Sequence, residues 1–302
     1  MEFENVAEVQ DRLEKADYIP SKEIATVVFL AEAAGKPILV EGPAGVGKTE
    51  LAKAVAGSLD RRLIRLQCYE GVDEAKALYE WEYAKQLLYT QMVKEKIHDI
   101  TSGAQTLSEA VDLIAAQEDA FFSERFIQPR PLLQAITSEK PVVLLLDEVD
   151  KSDSEFEAFL LELLSDFQVS IPELGTKRAV NIPFVVLTSN NYRDMSDALK
   201  RRCLHLYIDY PQRELEIRII RLKIPGIGER LADKIVDIMR KIRELDLKKR
   251  PCISETLDWA QSLISLQIED LSADVVVETL SVICKYQVDS ERVKENIAAI
   301  MK

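Results

Sequence analysis

Apolar residues in this chain follow one pattern up to about residue 211 and another beyond it. In the first part, short apolar runs alternate with longer amphipathic stretches. "KPILVEG" reads as a buried strand and "TELAKAVAGSL" as the helix that follows it. "RLIRLQ" is the next strand, and a long helical region comes after it. Then come "PVVLLLDEVD" as a strand, "SEFEAFLLELLSDF" as a helix, "FVVLTSN" as a strand, a further helix, and "LHLYID" as a strand. Strands alternating with helices predict a parallel sheet covered on both faces. After Pro211 the strand signals stop. In "GERLADKIVDIMRKIRELDL", Leu231, Ile235, Ile238, Ile242 and Leu245 are spaced by four, three, four and three, which marks one helix face. "SETLDWAQSLISL", "SADVVVETLSVICK" and "SERVKENIAAIMK" also read as helices, each starting at or near a serine able to cap its first turn. Ahead of the first strand, residues 1–17 read as an acidic amphipathic helix with a solvated face. Pro20-Ser21 and Gly35 bracket a second helix. The expected organisation is an N-terminal helix over 1–17, an α/β core over 18–211 and an all-helical region over 212–302.

Composition narrows the class. At 302 residues, 47% hydrophobic and 30% charged, the chain is ordinary for a globular protein with a substantial core. It has no apolar run long enough to span a membrane, and its acidic start lacks the basic opening of a signal peptide. A cytoplasmic protein without a membrane span is the expectation. Cys68, Cys203, Cys252 and Cys284 are scattered, and His98 and His205 are the only histidines, which argues for reduced thiols and against a zinc site. The net charge of −13 argues against broad nucleic-acid binding, though it leaves room for a local basic groove.

Three strand ends carry candidate chemistry. "ILVEGPAGVGKTELA" contains Gly42, four further residues, then Gly47-Lys48-Thr49, the G-x-x-x-x-G-K-[ST] phosphate loop. Gly42, Gly45 and Gly47 free the backbone to turn its amides toward phosphate. Lys48 would reach the β- and γ-phosphates of ATP, and the Thr49 hydroxyl would ligate Mg²⁺. The whole cradle is Gly42, Pro43, Ala44, Gly45, Val46, Gly47, Lys48, Thr49 and Glu50, with the next helix directing its positive end at the same phosphates. "PVVLLLDEVD" ends in Asp147, placed to hold Mg²⁺ through its water, and Glu148, placed to polarise an attacking water. Asp150 reads better as a structural cap or ion-pair partner. "PFVVLTSNN" ends in Thr188, Ser189 and Asn190. The amide of Asn190 can hold the attacking water, although Ser and Asn also simply favour turns. A fourth feature is the cation run Lys200-Arg201-Arg202 just ahead of the last strand of the core. Lys200 also fits a solvated helix end, where cations suit the dipole.

Phosphate loop, Asp-Glu strand, Ser-Asn strand, an arginine before the last core strand, and a helical end: this order resembles the AAA+ ATPases, from about residue 18 to 290. The resemblance implies an AAA+ P-loop NTPase core, with a parallel sheet between helices, followed by an all-helical lid. It also implies a ring, a hexamer in the family's usual form. Arg202, directly before Cys203, matches the arginine that reaches the γ-phosphate held by the neighbouring subunit, and Arg201 is the alternative. A fixed guanidinium there stabilises charge spreading over the phosphate oxygens. "FQVSIPELGTKRAVNIPFVVLTSN", a hairpin leading into the Asn190 strand, is similar to MoxR proteins. "RLQCYEGVDEAKALYEWEYAKQLLYTQ", "LLDEVDKSDSEFEAFLLELLSDFQVSIPELGT" and "CISETLDWA" resemble the CoxD-type MoxR ATPases encoded beside carbon monoxide dehydrogenase. That likeness implies a von Willebrand A domain partner and a metalloenzyme client. MoxR lids place a sensor arginine just after a helix-capping serine, but here Ser254 is followed by Glu255 and Thr256. Lys248, Lys249 and Arg250 stand just upstream as substitutes or as solvated cations. The long gap before Asp147 implies a helical insertion around 71–140. Its aromatics Tyr79, Trp81, Tyr83, Tyr89, Phe121 and Phe122 fit packing of an inserted subdomain better than a partner-gripping element.

Two other readings remain. A nucleic-acid-directed AAA+ motor or clamp-loader-like ATPase would need a basic, aromatic-studded loop, for which "PELGTKRA" and "LDLKKRPC" are short candidates. A nucleotide switch without turnover would have no use for Glu148.

Overall fold

A computed structural model of the chain describes residues 2–92, 101–103, 106, 108, 109, 113, 124–171 and 175–302. Its centre is a five-stranded parallel sheet of β1 (Ile38–Glu41), β2 (Arg62–Gln67), β5 (Val142–Asp147), β8 (Phe184–Ser189) and β9 (Leu204–Tyr207), in the order β2-β5-β8-β1-β9. β1, β5 and β8 are buried along their whole length, which is why they read as continuous apolar runs. Their side chains still alternate between faces. Leu144, Leu146 and Leu187 join the apolar cluster on one face, while Val143, Leu145 and Val186 join the cluster on the other.

The first face is covered by α6 (Pro131–Ile136), α7 (Ser154–Asp166) and α8 (Asp197–Arg202). The second is covered by α1 (Val6–Lys15), α2 (Lys22–Ala34) and α3 (Lys48–Ser58). α2 starts at its Ser21 cap, whose hydroxyl accepts from Ile24 N, and ends at Gly35 with φ 60°. α1 is more than a solvated acidic helix: Val9, Leu13 and the preceding Phe3 are buried in the second cluster.

The stretch between β2 and β5, where a helical insertion is expected around 71–140, holds two short strands beside its helices. Its described residues include α4 (Glu74–Leu78), β3 (Tyr79–Trp81), α5 (Tyr83–Met92), a 3₁₀ turn at Glu124–Phe126, β4 (Ile127–Pro129) and α6. β3 and β4 pair antiparallel, Tyr79 opposite Pro129 and Trp81 opposite Ile127. Three-residue strands are too short to show a period, so the pattern missed them. Tyr79 and Trp81 pack against the first cluster, as a structural role predicts, whereas Tyr83 is exposed. Phe121, Phe122 and His98 lie outside the described residues. β6 (Gln168–Ile171) and β7 (Gly175–Arg178) form the expected antiparallel hairpin ahead of β8.

The C-terminal region is all helical: α9 (Arg213–Lys223), α10 (Glu229–Glu244), α11 (Ile253–Ser265), α12 (Ala273–Glu278), α13 (Leu280–Ile283), α14 (Gln287–Glu295) and α15 (Ile297–Ile300). These helices share a third apolar cluster running from Ile217 to Ile300. α9 was not foreseen, because only Ile217 and Ile220 of its apolar residues are buried among many charges. Two serine caps are corrected. α11 is capped by Cys252 with Glu255 closing a capping box, and α14 starts after Tyr286, which leaves Ser290 inside it. Ser272 does cap α12. Among the described residues no helix is long and apolar enough to cross a membrane.

One buried ion pair ties this region together. Arg243 of α10 donates to both oxygens of Glu216 on α9, at 2.8 and 2.6 Å, and also to Thr256 Oγ1 on α11 at 2.8 Å. Its Nε donates to Pro251 O, and its guanidinium lies 5.3 Å from the Tyr210 ring centre. Glu216 has no exposed surface. Glu216→Ala would leave Arg243 buried and uncompensated, at an expected loss of about 3–5 kcal/mol. Urea unfolding followed by helical circular dichroism should show that loss. A shift within 0.5 kcal/mol, estimated as about that of a neutral surface substitution, would mean the pair is dispensable.

Candidate functional site

The carboxyl ends of β1, β5 and β8 lie side by side. Glu41 pairs with Ser189, and Leu146 with Leu187. The phosphate loop, the Asp147-Glu148 pair and Thr188–Asn190 therefore converge on one edge of the sheet, where ligands of open α/β folds sit.

The loop between β1 and α3 is built by its glycines. Gly42 has φ 149°, and a β-carbon there would lie 2.0 Å from Ile208 O, because β9 closes against β1 at this point. Gly45 has φ 74°, and a β-carbon there would lie 2.0 Å from Cys252 Sγ. The segment entering α11 thus presses directly on the loop. Lys48 is buried, and its ammonium donates to Gly42 O at 2.7 Å and Pro43 O at 2.6 Å. Burial holds its pKa below the ordinary lysine value, opposed by the charges of Asp150, Asp147 and Glu148. Val46 is buried in the core, while Glu50 pairs with Lys53 at 2.6 Å.

Asp147 is a junction. Its Oδ1 accepts from Thr49 Oγ1 at 3.0 Å and Thr188 Oγ1 at 2.6 Å, and its Oδ2 accepts from Arg65 at 2.5 Å. Glu148 sits at φ 57° and ψ 49°, a left-handed conformation that glutamate adopts at a cost. Its backbone N–H donates to Thr188 Oγ1 at 2.8 Å. Its carboxylate accepts from Asn190 Nδ2 and Gln67 Nε2, each at 3.0 Å, and from Lys151 Nζ at 2.5 Å. Asp150 is buried, and its Oδ2 accepts from the backbone N–H groups of Asn190 and Tyr192 at 2.9 and 2.8 Å. It therefore acts as a cap that fixes the loop after β8.

Two cavities meet here. One of about 210 Å³ is lined by Ala44, Gly45, Gly47, Lys48, Thr49, Glu50, Asp147, Glu148, Thr188, Asn190 and Ser254. Its size and its donors suit a chain of phosphates. A second, more apolar cleft of about 410 Å³ opens beside it, between Tyr18, Ile19 and Ile24 on one side and Tyr210, Ile219 and Leu257 on the other. Such walls suit a base and sugar. No motif marks them in the sequence, since they come from three distant segments. Arg65, Gln67 and Lys151 were also missed, being unremarkable side chains that become important only through strand pairing and a short turn.

Arg202 and Arg201 line neither cavity. Arg202 donates to Ser165 Oγ at 2.6 Å and to Ala198 O at 3.1 Å. Among the described residues, the exposed side chain of Arg201 makes no hydrogen bond or ion pair. Glu255 and Thr256 are committed to the α11 cap and the Arg243 network. Lys248, Lys249 and Arg250 instead line a separate opening at Ala44 and Tyr210.

Fold and site define the class: a P-loop nucleoside triphosphatase with a helical C-terminal region. The chain belongs to the family described as "ATPase family associated with various cellular activities (AAA)", which matches residues 38–210. ATP binding and hydrolysis are the activity of that family. Relatives include the gas vesicle ATPase GvpN of Haloferax mediterranei, 24% identical over 261 residues, covering 82% of this chain and 69% of the relative. GvpN1 of Halobacterium salinarum is 24% identical, covering 70% of this chain and 57% of the relative. GvpN of Ancylobacter aquaticus is 25% identical, covering 80% and 64%. This chain thus spans between 57% and 69% of their lengths. Among solved structures, the RuvB Holliday junction branch migration motor of Thermotoga maritima matches 90% of this chain and 69% of its own, with 18% identity and a TM-score of 0.46.

Gly42→Ala tests the loop geometry, because its clash is with backbone rather than with a movable side chain. Nucleotide binding measured by fluorescence titration should be lost, with stability lowered by about 1–3 kcal/mol from the strained conformation. Wild-type affinity in that variant would show that the loop tolerates a side chain there.

Proposed function

We propose that this chain is a ring-forming ATPase of the MoxR type that couples ATP hydrolysis to remodelling of a protein client. The observation that carries this reading is the division of the site. Each chain holds the cavity, Lys48, Thr49, Asp147, Glu148 and Asn190, while its Arg201 and Arg202 stand outside that cavity at the end of α8. A neighbouring subunit would supply the missing cation.

In this reading Lys48 exchanges its loop carbonyls for the β- and γ-phosphates. Thr49 and Asp147 are hard oxygen donors about one hydrogen bond apart, at 3.0 Å, a donor set that suits Mg²⁺ completed by phosphate and water. The metal would neutralise charge on the transferring phosphoryl group. Glu148 is the group that takes a proton from water, and Asn190 fixes the orientation of its carboxylate while lying close enough to hold that water. Residues 1–17 act as a brace on the core, 18–211 as the catalytic core and 212–302 as the lid, in a cytoplasmic protein.

The finer reading is a CoxD-type partner of a von Willebrand A domain protein, maturing a metalloenzyme such as a carbon monoxide dehydrogenase. It rests on the sequence phrases quoted above. A second reading, a gas vesicle ATPase, is favoured by the names of the relatives. A nucleic-acid motor is less favoured. Lys177 of the hairpin pairs with Glu124 and Arg178 bonds Gln168, which leaves Lys248, Lys249 and Arg250 beside Tyr210 as a single short basic cluster. ATPase rate against added von Willebrand A protein, purified gas vesicle shell protein, or DNA and RNA at two salt concentrations separates the three. Salt-sensitive, saturable stimulation by nucleic acid would overturn the remodeller.

Lys48→Ala should abolish ATP binding, whereas Glu148→Gln should bind ATP and hydrolyse it poorly. Equal loss of affinity in both, measured by equilibrium titration, would contradict these separate roles. Arg202→Ala should keep affinity and lose turnover by about 10³-fold or more. Mixing it with Lys48→Ala subunits should restore part of the activity. A larger defect in Arg201→Ala would transfer the role to that arginine, whose side chain has no partner among the described residues.

A further inference from the structure

Asp147 needs a positive partner, because its side chain is almost fully buried at 3% exposure. Lys48 does not contact it, being hydrogen-bonded to the carbonyls of Gly42 and Pro43. The cation in contact is Arg65, which comes from the edge strand β2 and is itself half exposed. Arg65 faces Leu145 in the register, and Gln67, two residues on, faces Asp147. Both side chains lie on one face of β2, and Arg65 also donates to Gln67 Oε1. Thr49 and Thr188 use the other carboxylate oxygen, so the guanidinium takes the edge they leave open.

We propose that Arg65 is a built-in counter-cation of Asp147 that competes with the divalent metal of the nucleotide. A divalent metal at this carboxylate, held directly or through a water, and the guanidinium repel one another. Loading a metal–nucleotide complex therefore displaces Arg65 or weakens its ion pair. Bare nucleotide, with its extra negative charge, gains from the same guanidinium. Arg65 is thus a positioning residue that sets the balance between metal-bound and metal-free nucleotide. Its bond to Gln67, which also holds Glu148, carries the exchange toward the hydrolytic carboxylate. The proposal rests on the reading of Thr49 and Asp147 as metal ligands.

The test is a binding cycle that needs no turnover. The affinity of the full chain for a slowly hydrolysed ATP analogue is measured with Mg²⁺ and with chelator, for wild type, Arg65→Ala, Arg65→Gln and Arg65→Lys. The ratio of the two affinities is the metal–nucleotide coupling. Arg65→Ala and Arg65→Gln should raise that ratio about five- to tenfold, with metal-free binding weaker and metal-bound binding tighter, in keeping with the loss of one partly exposed ion pair. Arg65→Lys should stay within about threefold of wild type, since it keeps the charge. A merely structural arginine would lower both affinities together and leave the ratio unchanged, which would overturn the proposal, as would a fall in the ratio. Wild-type affinity indifferent to Mg²⁺ would instead overturn the assignment of the metal ligands. Arg65→Gln preserves most of the side-chain stem, so the ratio remains measurable if the alanine variant folds poorly.

Discussion

The geometry of the site depends on a single carboxylate. Asp147 ends the most deeply buried strand, and its oxygens collect Thr49 from the helix after the phosphate loop, Thr188 from β8 and Arg65 from β2. Three neighbouring elements are thereby pinned at one height. The next residue inherits that constraint. Glu148 leaves the strand in a left-handed conformation, with its N–H on Thr188 and its carboxylate between Asn190, Gln67 and Lys151. Strain of this kind persists only where surrounding contacts over-determine the backbone. Here the contacts come from both flanking strands, so the cost is spread over a rigid sheet rather than borne by a loop.

The helical region is joined to the same point from above. Cys252 rests on Gly45, which leaves no room for a β-carbon at that position. Cys252 also caps α11, and the carbonyl of Pro251 just before it accepts from Arg243. Arg243 holds Glu216 and Thr256 and stacks on Tyr210 at the exit from the core. The phosphate loop is therefore in direct contact with a capped helix start, which is tied through Pro251 to the buried Arg243–Glu216 pair.

The sheet strands were legible in the sequence because β1, β5 and β8 are short, apolar and buried on both faces. The phosphate loop was legible because glycine spacing reports backbone geometry directly. Asp147, Glu148 and Asn190 could be found by their place at strand ends, and Asp150 could be read as a cap. What the sequence hid was cooperative. β3 and β4 exist only through each other. The apolar cleft brings Tyr18 from near the start of the chain together with Ile219 and Leu257 of the helical region. The serine caps of α11 and α14 failed because tertiary contacts placed those helix starts elsewhere: Cys252 is fixed against Gly45, and Asp289 is buried beneath Lys248 and Lys249. Local propensity lost to packing at both sites.

The acidic balance of the chain makes the placement of its cations informative. In a chain of net charge −13, the exposed Arg65, Arg130, Arg218 and Arg221 each pair with a carboxylate. The three cations of α8 divide differently. Lys200 approaches Asp194 at 4.0 Å, Arg202 is bonded to a serine and a helix carbonyl, and Arg201 projects without a partner among the described residues. Neutral partners leave the charge of Arg202 uncompensated while fixing its direction. A fixed but uncompensated guanidinium is suited to an external anion, since little side-chain entropy remains to be lost on contact. The free Arg201 carries the same charge but would lose more on ordering. In the proposed ring, this difference in preorganisation adds a physical reason to rank Arg202 ahead of Arg201, beside its position directly before the last core strand.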